Sequence, residues 1–203
     1  MNLHKLILML VICIPYFSNA RSFYSKFIPD DILMQFAGNQ GMLSVGFGYS
    51  YEISKRNRTT AFMYGYLPEH IAGTDIHIVC LKQGTEIFNF EIEEYFISSS
   101  INLTTIMSLT DNTFITWPDH YPQGYYPSNA FHIQPSISFS TKLNSDSHSE
   151  LCNVLIYSEI GILDQRLYHI IKTGRVKILD SINLSLGFKY NFNSEIPENI
   201  GRE

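Results

Sequence analysis

Ile182-Asn183-Leu184-Ser185-Leu186-Gly187-Phe188-Lys189-Tyr190-Asn191-Phe192 decides the fold class. Every second residue, from Ile182 to Phe192, is large and apolar, while Asn183, Ser185, Gly187, Lys189 and Asn191 between them are small or polar. Successive side chains of an extended chain leave opposite faces, so a period of two is a β-strand. A helix, at about 3.6 residues per turn, would mix the two sets. The stretch from Leu43 to Tyr51 repeats the pattern, with Leu43, Val45, Phe47, Tyr49 and Tyr51 on one face and Ser44, Gly46, Gly48 and Ser50 on the other.

Weaker versions recur between these two. Thr60, Phe62, Tyr64 and Tyr66 alternate with Ala61, Met63 and Gly65, and Ile76, Ile78 and Cys80 alternate with His77 and Val79. A long run from about 92 to 109 sets Ile101, Leu103 and Met107 against Asn102, Thr104 and Ser108. Phe131, Ile133, Ile137 and Phe139 alternate with His132, Gln134, Ser136 and Ser138, and Cys152, Val154, Ile156 and Ile160 oppose Asn153, Tyr157 and Glu159. These are seven runs, whereas a bacterial membrane barrel closes on an even number. Two segments can supply the eighth strand. Either 31–37 pairs with the next run through Gly38-Asn39-Gln40-Gly41, or the run 87–109 folds back near 94–99. The first is preferred, and it sends the charged turn 52–58 to one mouth and both longest loops to the other. One of those loops, 110–129, carries Trp117, Tyr125 and Tyr126 among prolines and glycine, which favours ordered non-repetitive structure. The other, 161–180, holds Leu167, Ile170 and Ile171 at helical spacing before Gly174, which predicts a short rim helix over Asp164–Thr173.

Composition agrees with this pattern. Of 203 residues, 45% are hydrophobic, which excludes a disordered chain. Charged residues are 16%, against about 25% in an ordinary soluble domain. Lys and Arg number 14 against 19 Asp and Glu, so no cationic excess exists to neutralise a run of phosphates, and nucleic acid is not an expected partner.

Lys5, the apolar stretch from Leu6 to Tyr16 and then Ser18-Asn19-Ala20 read as an export signal, cleaved after Ala20. The organisation expected is therefore a signal peptide over 1–20, a periplasmic segment over 21–30, a barrel over 31–192 and a short tail over 193–203. Bulky Ile12 before Cys13 does not suit lipidation, and Cys80 and Cys152 are read as free apolar thiols inside strands. No Cys or His spacing resembles a zinc site, so neither metal nor cofactor is expected.

A soluble barrel alternates too, with its apolar face inward. Three features turn the apolar face toward lipid. The polar face of the first and last runs is Gly, Ser and Asn with one Lys, where a soluble exterior would be rich in charge. Tyr49, Tyr51, Tyr64, Tyr66, Tyr157 and Tyr190 stand near strand ends, as an interfacial girdle requires. Turns and loops are unequal in length, as at the two ends of a bacterial barrel. The fold class expected is an all-β, antiparallel, up-and-down transmembrane β-barrel of about eight strands with a rim helix outside.

Ala37-Gly38-Asn39-Gln40-Gly41 leading into Ser44-Val45-Gly46-Phe47-Gly48-Tyr49, then Tyr64-Gly65-Tyr66-Leu67-Pro68, Tyr121-Pro122-Gln123-Gly124-Tyr125-Tyr126 and Leu186-Gly187-Phe188-Lys189-Tyr190-Asn191-Phe192, give the chain a resemblance to small outer-membrane β-barrel proteins of Gram-negative bacteria. The match covers about 31–192. It implies residence in the outer membrane, contact with outer-membrane lipid and lipopolysaccharide, and insertion by the barrel assembly machinery, which reads an aromatic-ended last strand. In the family that strand usually ends the chain, whereas here residues follow Phe192.

His77, His132 and Glu159 fall on the polar faces of their runs. His132 and Glu159 on neighbouring strands, with the hydroxyl of Ser136 or Ser128, would be the minimum for acyl hydrolysis. The same resemblance includes lipid A deacylases, but their catalytic Ser and His stand two residues apart, and Ala130 and Gln134 flank His132 here. The same residues also suit a hydrogen-bonded lumen network without catalysis, with His77 a polar plug or rim group. Arg166, Lys172, Arg175 and Lys177 around the rim helix are candidate contacts for lipopolysaccharide phosphates. The role expected is structural or envelope-interacting, with an outer-leaflet lipid A acyl hydrolase and a soluble secreted lipid-binding barrel as alternatives.

Overall fold

The structure is a computed structural model describing residues 28–92, 95–111, 113, 130–143, 153–173 and 177–192. The predicted signal peptide, the tail over 193–203, the loop aromatics Trp117, Tyr125 and Tyr126, and Ser128, Cys152, Gly174 and Arg175 lie outside these residues.

Eight strands form the wall: β1 (Asp31–Phe36), β2 (Leu43–Ile53), β3 (Arg56–Leu67), β4 (Ile76–Ile92), β5 (Tyr95–Leu109), β6 (Phe131–Leu143), β7 (Val154–Ile162) and β8 (Ile182–Asn191). Each pairs antiparallel with the next in sequence, and β8 returns to β1, from Asp31↔Asn191 to Phe36↔Leu186. Closure leaves no free edge around that seam. Helix α1 (Glu69–Ala72) joins β3 to β4, and α2 (Asp164–Thr173) joins β7 to β8 at its expected bounds.

The eighth strand is the preferred one, 31–36. The alternative fails because the run below Leu109 splits at 93–94 and its first half continues β4, not a new hairpin. β1 therefore begins and β8 ends at the mouth that holds the short Ser54-Lys55 turn, and β3 and β4, β5 and β6, and β7 and β8 are joined at the other. Ser54 and Lys55 both take positive φ, 53° and 62°, which matches the twist of the hairpin they close. At Gly65 a Cβ would overlap the Gln40 carbonyl oxygen, so glycine alone lets the β1–β2 turn fold over the wall.

Strand parity sorts the side chains. Ile32, Met34 and Phe36 on β1, Phe62 and Tyr64 on β3, Leu103 on β5, Ile137 and Phe139 on β6, and Leu184, Leu186 and Phe188 on β8 all point outward. These are large apolar groups left about half exposed, with Leu186 at 56%. Inward go Gln35, Ser44, Ala61, Met63, Asn102, Thr104, Gln134, Ser136, Glu159, Ser185 and Gly187.

One strand reverses its expected faces. On β4, Ile78 and Cys80 are buried inside while His77 and Val79 are exposed outside. The apolar pair was expected outward because Ile78 and Cys80 look like lipid-facing residues. Lys82 shares their parity and must avoid the apolar exterior, so it carries Ile78 and Cys80 in with it. Inside they meet Leu33, Ala61, Met63 and Ile106 in an apolar layer.

The wall is uneven in height. The β4–β5 ladder runs to Ile92↔Tyr95, past a bulge between Glu86 and Phe88, whereas the β3–β4 ladder stops at Arg58↔Thr85.

Candidate functional site

The interior polar residues assemble across the barrel. Lys82 Nζ on β4 lies 2.6 Å from Glu159 Oε2 on β7 and donates to Gln35 Oε1 on β1 at 2.7 Å. The Ser136 hydroxyl on β6 donates to Glu159 Oε1 at 2.9 Å, and the Tyr157 hydroxyl donates to Gln35 Oε1 at 3.1 Å. Lys82 Nζ also stands 5.5 Å from the Tyr157 ring centre. Gly187 makes this possible, since a Cβ there would overlap the Tyr157 ring. The Lys82 and Glu159 side chains are 8% and 1% exposed, so the pair is dry and spans the lumen.

Toward the chain-end mouth, Lys189 Nζ on β8 pairs with Asp31 Oδ2 on β1 at 2.7 Å, and the Ser50 amide donates to Asp30 Oδ2 at 2.8 Å. Asn39 Nδ2 of the β1–β2 turn donates to Gln134 Oε1 at 2.9 Å, and Met63, Ile78, Cys80 and Ile106 form an apolar layer. An eight-stranded interior is narrow enough for side chains to fill. Here they fill it with two ion pairs and an apolar layer.

The expected constellation is divided. Ser136 and Glu159 meet, but His132 Nδ1 lies 3.3 Å from Asp164 Oδ1 at the start of α2. His132 precedes Ser136 by four positions on one strand, about 13 Å along it. The Ser136 hydroxyl therefore faces a carboxylate already neutralised by Lys82, without an imidazole between them. Among the described residues no cluster of His, Cys, Asp or Glu could hold a metal ion.

His77 stands on the outer surface near the loop mouth, and not in the lumen, the other place expected for it. It shares a 2.6 Å hydrogen bond with the Tyr64 hydroxyl, and its ring lies 5.4 Å from that of Tyr66. Tyr66 in turn donates to Asp75 Oδ1 at 2.6 Å, and the Glu69 amide donates to the same oxygen at 2.9 Å. These donors, Tyr66 first, hold the Asp75 carboxyl below its ordinary value. On α2, Arg166 and Lys172 are exposed, as is Lys177 beyond it, and Lys172 Nζ donates to the Tyr168 hydroxyl at 2.5 Å.

Lys82, Gln35 and Asp31 are absent from the sequence-derived candidates. The signal for Lys82 was present: a cation in mid-strand of a barrel with an apolar exterior must point inward. Gln35 and Asp31 sit on the shortest strand, whose six residues carry little periodic signal.

Removing one member of the central pair leaves a buried uncompensated charge, at a cost of about 3–5 kcal/mol. Lys82→Met and Glu159→Met are each expected to lower the urea midpoint strongly, and the double variant to recover most of the loss. Equal and additive losses would show that the two charges do not interact. For Asp75, a depressed carboxyl keeps its contacts above the ordinary carboxylate value and loses them as pH falls through the lowered one. In an NMR titration Tyr66→Phe should raise the Asp75 midpoint, and an unchanged midpoint would remove Tyr66 as the cause.

No family model matches the chain, and no curated protein matches it. Among solved structures it is similar to Neisserial surface protein A, at 12% identity over 80% of this chain and 94% of that one, with a TM-score of 0.46. It is also similar to the outer membrane enzyme PagL, at 10% identity over 79% and 99% of the two chains, with a TM-score of 0.42.

Proposed function

We propose that this chain is a small outer-membrane β-barrel with a closed lumen, serving the envelope through its surface and loop mouth. The observation that carries it is the outer face. All eight strands present large apolar side chains there, among them Phe36, Phe47, Phe62, Val79, Leu103, Ile137, Ile160 and Leu186. In water such a surface would be an aggregation hazard, whereas in a bilayer it is the required exterior. The charged groups Lys82, Glu159, Asp31 and Lys189 are turned inward in pairs, which is the arrangement a soluble carrier of apolar ligands would invert.

The filled interior speaks against a pore, and the separation of His132 from Ser136 and Glu159 speaks against an acyl hydrolase built on those residues. Arg166, Lys172 and Lys177 lie beside exposed Leu167, Ile171 and Leu179 at the loop mouth. That combination suits lipopolysaccharide, with cations for its phosphates and apolar groups for its chains. Export behind residues 1–20 and insertion by the barrel assembly machinery through β8 complete the proposal.

The test is envelope fractionation with a gel run before and after heating. The protein should stay with the outer membrane through urea extraction, run as a compact species until boiled, form no channels in planar bilayers and leave lipid A mass unchanged. Recovery in the soluble fraction would refute the membrane placement, and loss of a lipid A acyl chain would establish the hydrolase.

A further inference from the structure

Among the described strand residues, Lys82, Lys142 and Lys189 share the parity of buried neighbours on their own strands, Cys80, Ser136 and Ser185. Arg56 and Arg58 have the other parity, and they stand together at the start of β3. Thr59 turns inward, since its hydroxyl would lie 2.7 Å from a Cβ at Gly84. Arg58 therefore leaves the outer face, with Thr60 and Phe62. Its Nε is buried and has no hydrogen-bond partner. Glu52 and Glu86, the carboxylates nearest in register, belong to the inward parity, and Glu86 Oε1 accepts from Asn89 Nδ2 at 2.5 Å. A guanidinium N–H left unpartnered at an apolar wall calls for an acceptor, and an anionic oxygen is the strongest one.

The register surrounds Arg58 with the parts of a lipid site. Arg56 lies two residues along the same face, about 7 Å away, at the mouth of the short Ser54-Lys55 turn. Tyr51 stands directly opposite Arg58, and its hydroxyl shares a 3.1 Å hydrogen bond with that of Thr60. Beyond Thr60 the face becomes apolar. The rings of Phe47 and Phe62 lie 5.7 Å apart, each 44% exposed. From Arg58 to Phe62 is about 13 Å along the strand. From the mouth inward the order is cation, hydroxyl and apolar ring. A glycerophospholipid with its head at the interface presents phosphate, ester and acyl chain in the same order.

We infer that, given the membrane placement proposed above, this face of the β2–β3 hairpin binds a glycerophospholipid of the leaflet at the short-turn mouth, the periplasmic one. Arg58 and Arg56 hold its phosphate through charge-assisted hydrogen bonds, for which the planar guanidinium fork is suited. The Tyr51 and Thr60 hydroxyls lie at the level of the ester groups, and Phe47 and Phe62 pack on an acyl chain. The site is at the opposite mouth from the cations around α2, so its ligand is a different lipid from the one proposed there.

The test adds dioctanoyl phosphatidylglycerol to the full chain purified in non-ionic detergent and reads the lipid retained by native mass spectrometry. The wild-type protein should retain it about ten-fold more than dioctanoylglycerol, which has the same chains and no phosphate. Inorganic phosphate in excess should not displace it. Arg58→Gln should cut retention about ten-fold and Arg58→Lys several-fold, whereas Lys142→Gln, at the same mouth but of inward parity, should leave it unchanged. Heat modifiability of each sample reads folding and membrane placement separately, and the comparison of the two lipids needs no variant. Equal retention of both lipids, full retention by folded Arg58→Gln, or an equal loss in Lys142→Gln overturns the inference. Displacement by inorganic phosphate would reveal a free-anion site and overturns it as well.

Discussion

Lys82 on β4 and Glu159 on β7 meet at 2.6 Å inside a wall whose outer face is apolar. Taking either ion alone out of water costs several kcal/mol, so each is stable there only because the other is present and hydrogen-bonded. Gln35 and Ser136 take up further hydrogen-bonding capacity of the pair, and Tyr157 orients Gln35. Three consequences follow. The pair sets which face of β4 points in, it ties strands from opposite sides of the barrel, and it bridges the lumen at its level.

Parity is where this constraint propagates furthest. A shift of one residue in β4 would turn Lys82 to the apolar exterior and His77 into the lumen. With Lys82 inside, Ile78 and Cys80 become core residues, and Val79 and Leu81 become exterior ones. His77 is then free to join Tyr64 and Tyr66 on the outer surface near the loop mouth, where amphipathic rings suit an interface. The chemistry inside the barrel is thus spent on stability.

The sequence made most of the wall legible. Period two in 43–51, 60–66 and 182–192 placed each residue on its observed face, because Gly, Ser and Asn alternate there with large apolar groups. The rim helix was legible from the spacing of Leu167, Ile170 and Ile171. β4 was misread because both of its faces are apolar near its start, so alternation had nothing to sort, and only Lys82 further along carried the parity. The candidate site was half legible. Ser136 and Glu159 do face one another, since adjacent antiparallel strands bring like parities together. Their true partner on β4 was hidden because strands three apart in sequence order meet only after the barrel has closed, and the register that brings them level is a property of closure.

The most direct test of this account is the environment of neighbouring β4 positions in the membrane-embedded protein. Nitroxide labels at Ile78 and Val79, one at a time, would be probed by EPR with molecular oxygen, which concentrates in lipid, and with a polar nickel reagent. The account predicts high oxygen accessibility at position 79 and low accessibility to both reagents at 78. The reverse pattern, with 78 in lipid and 79 shielded, would contradict the inward placement of Lys82 and the closed lumen built on it.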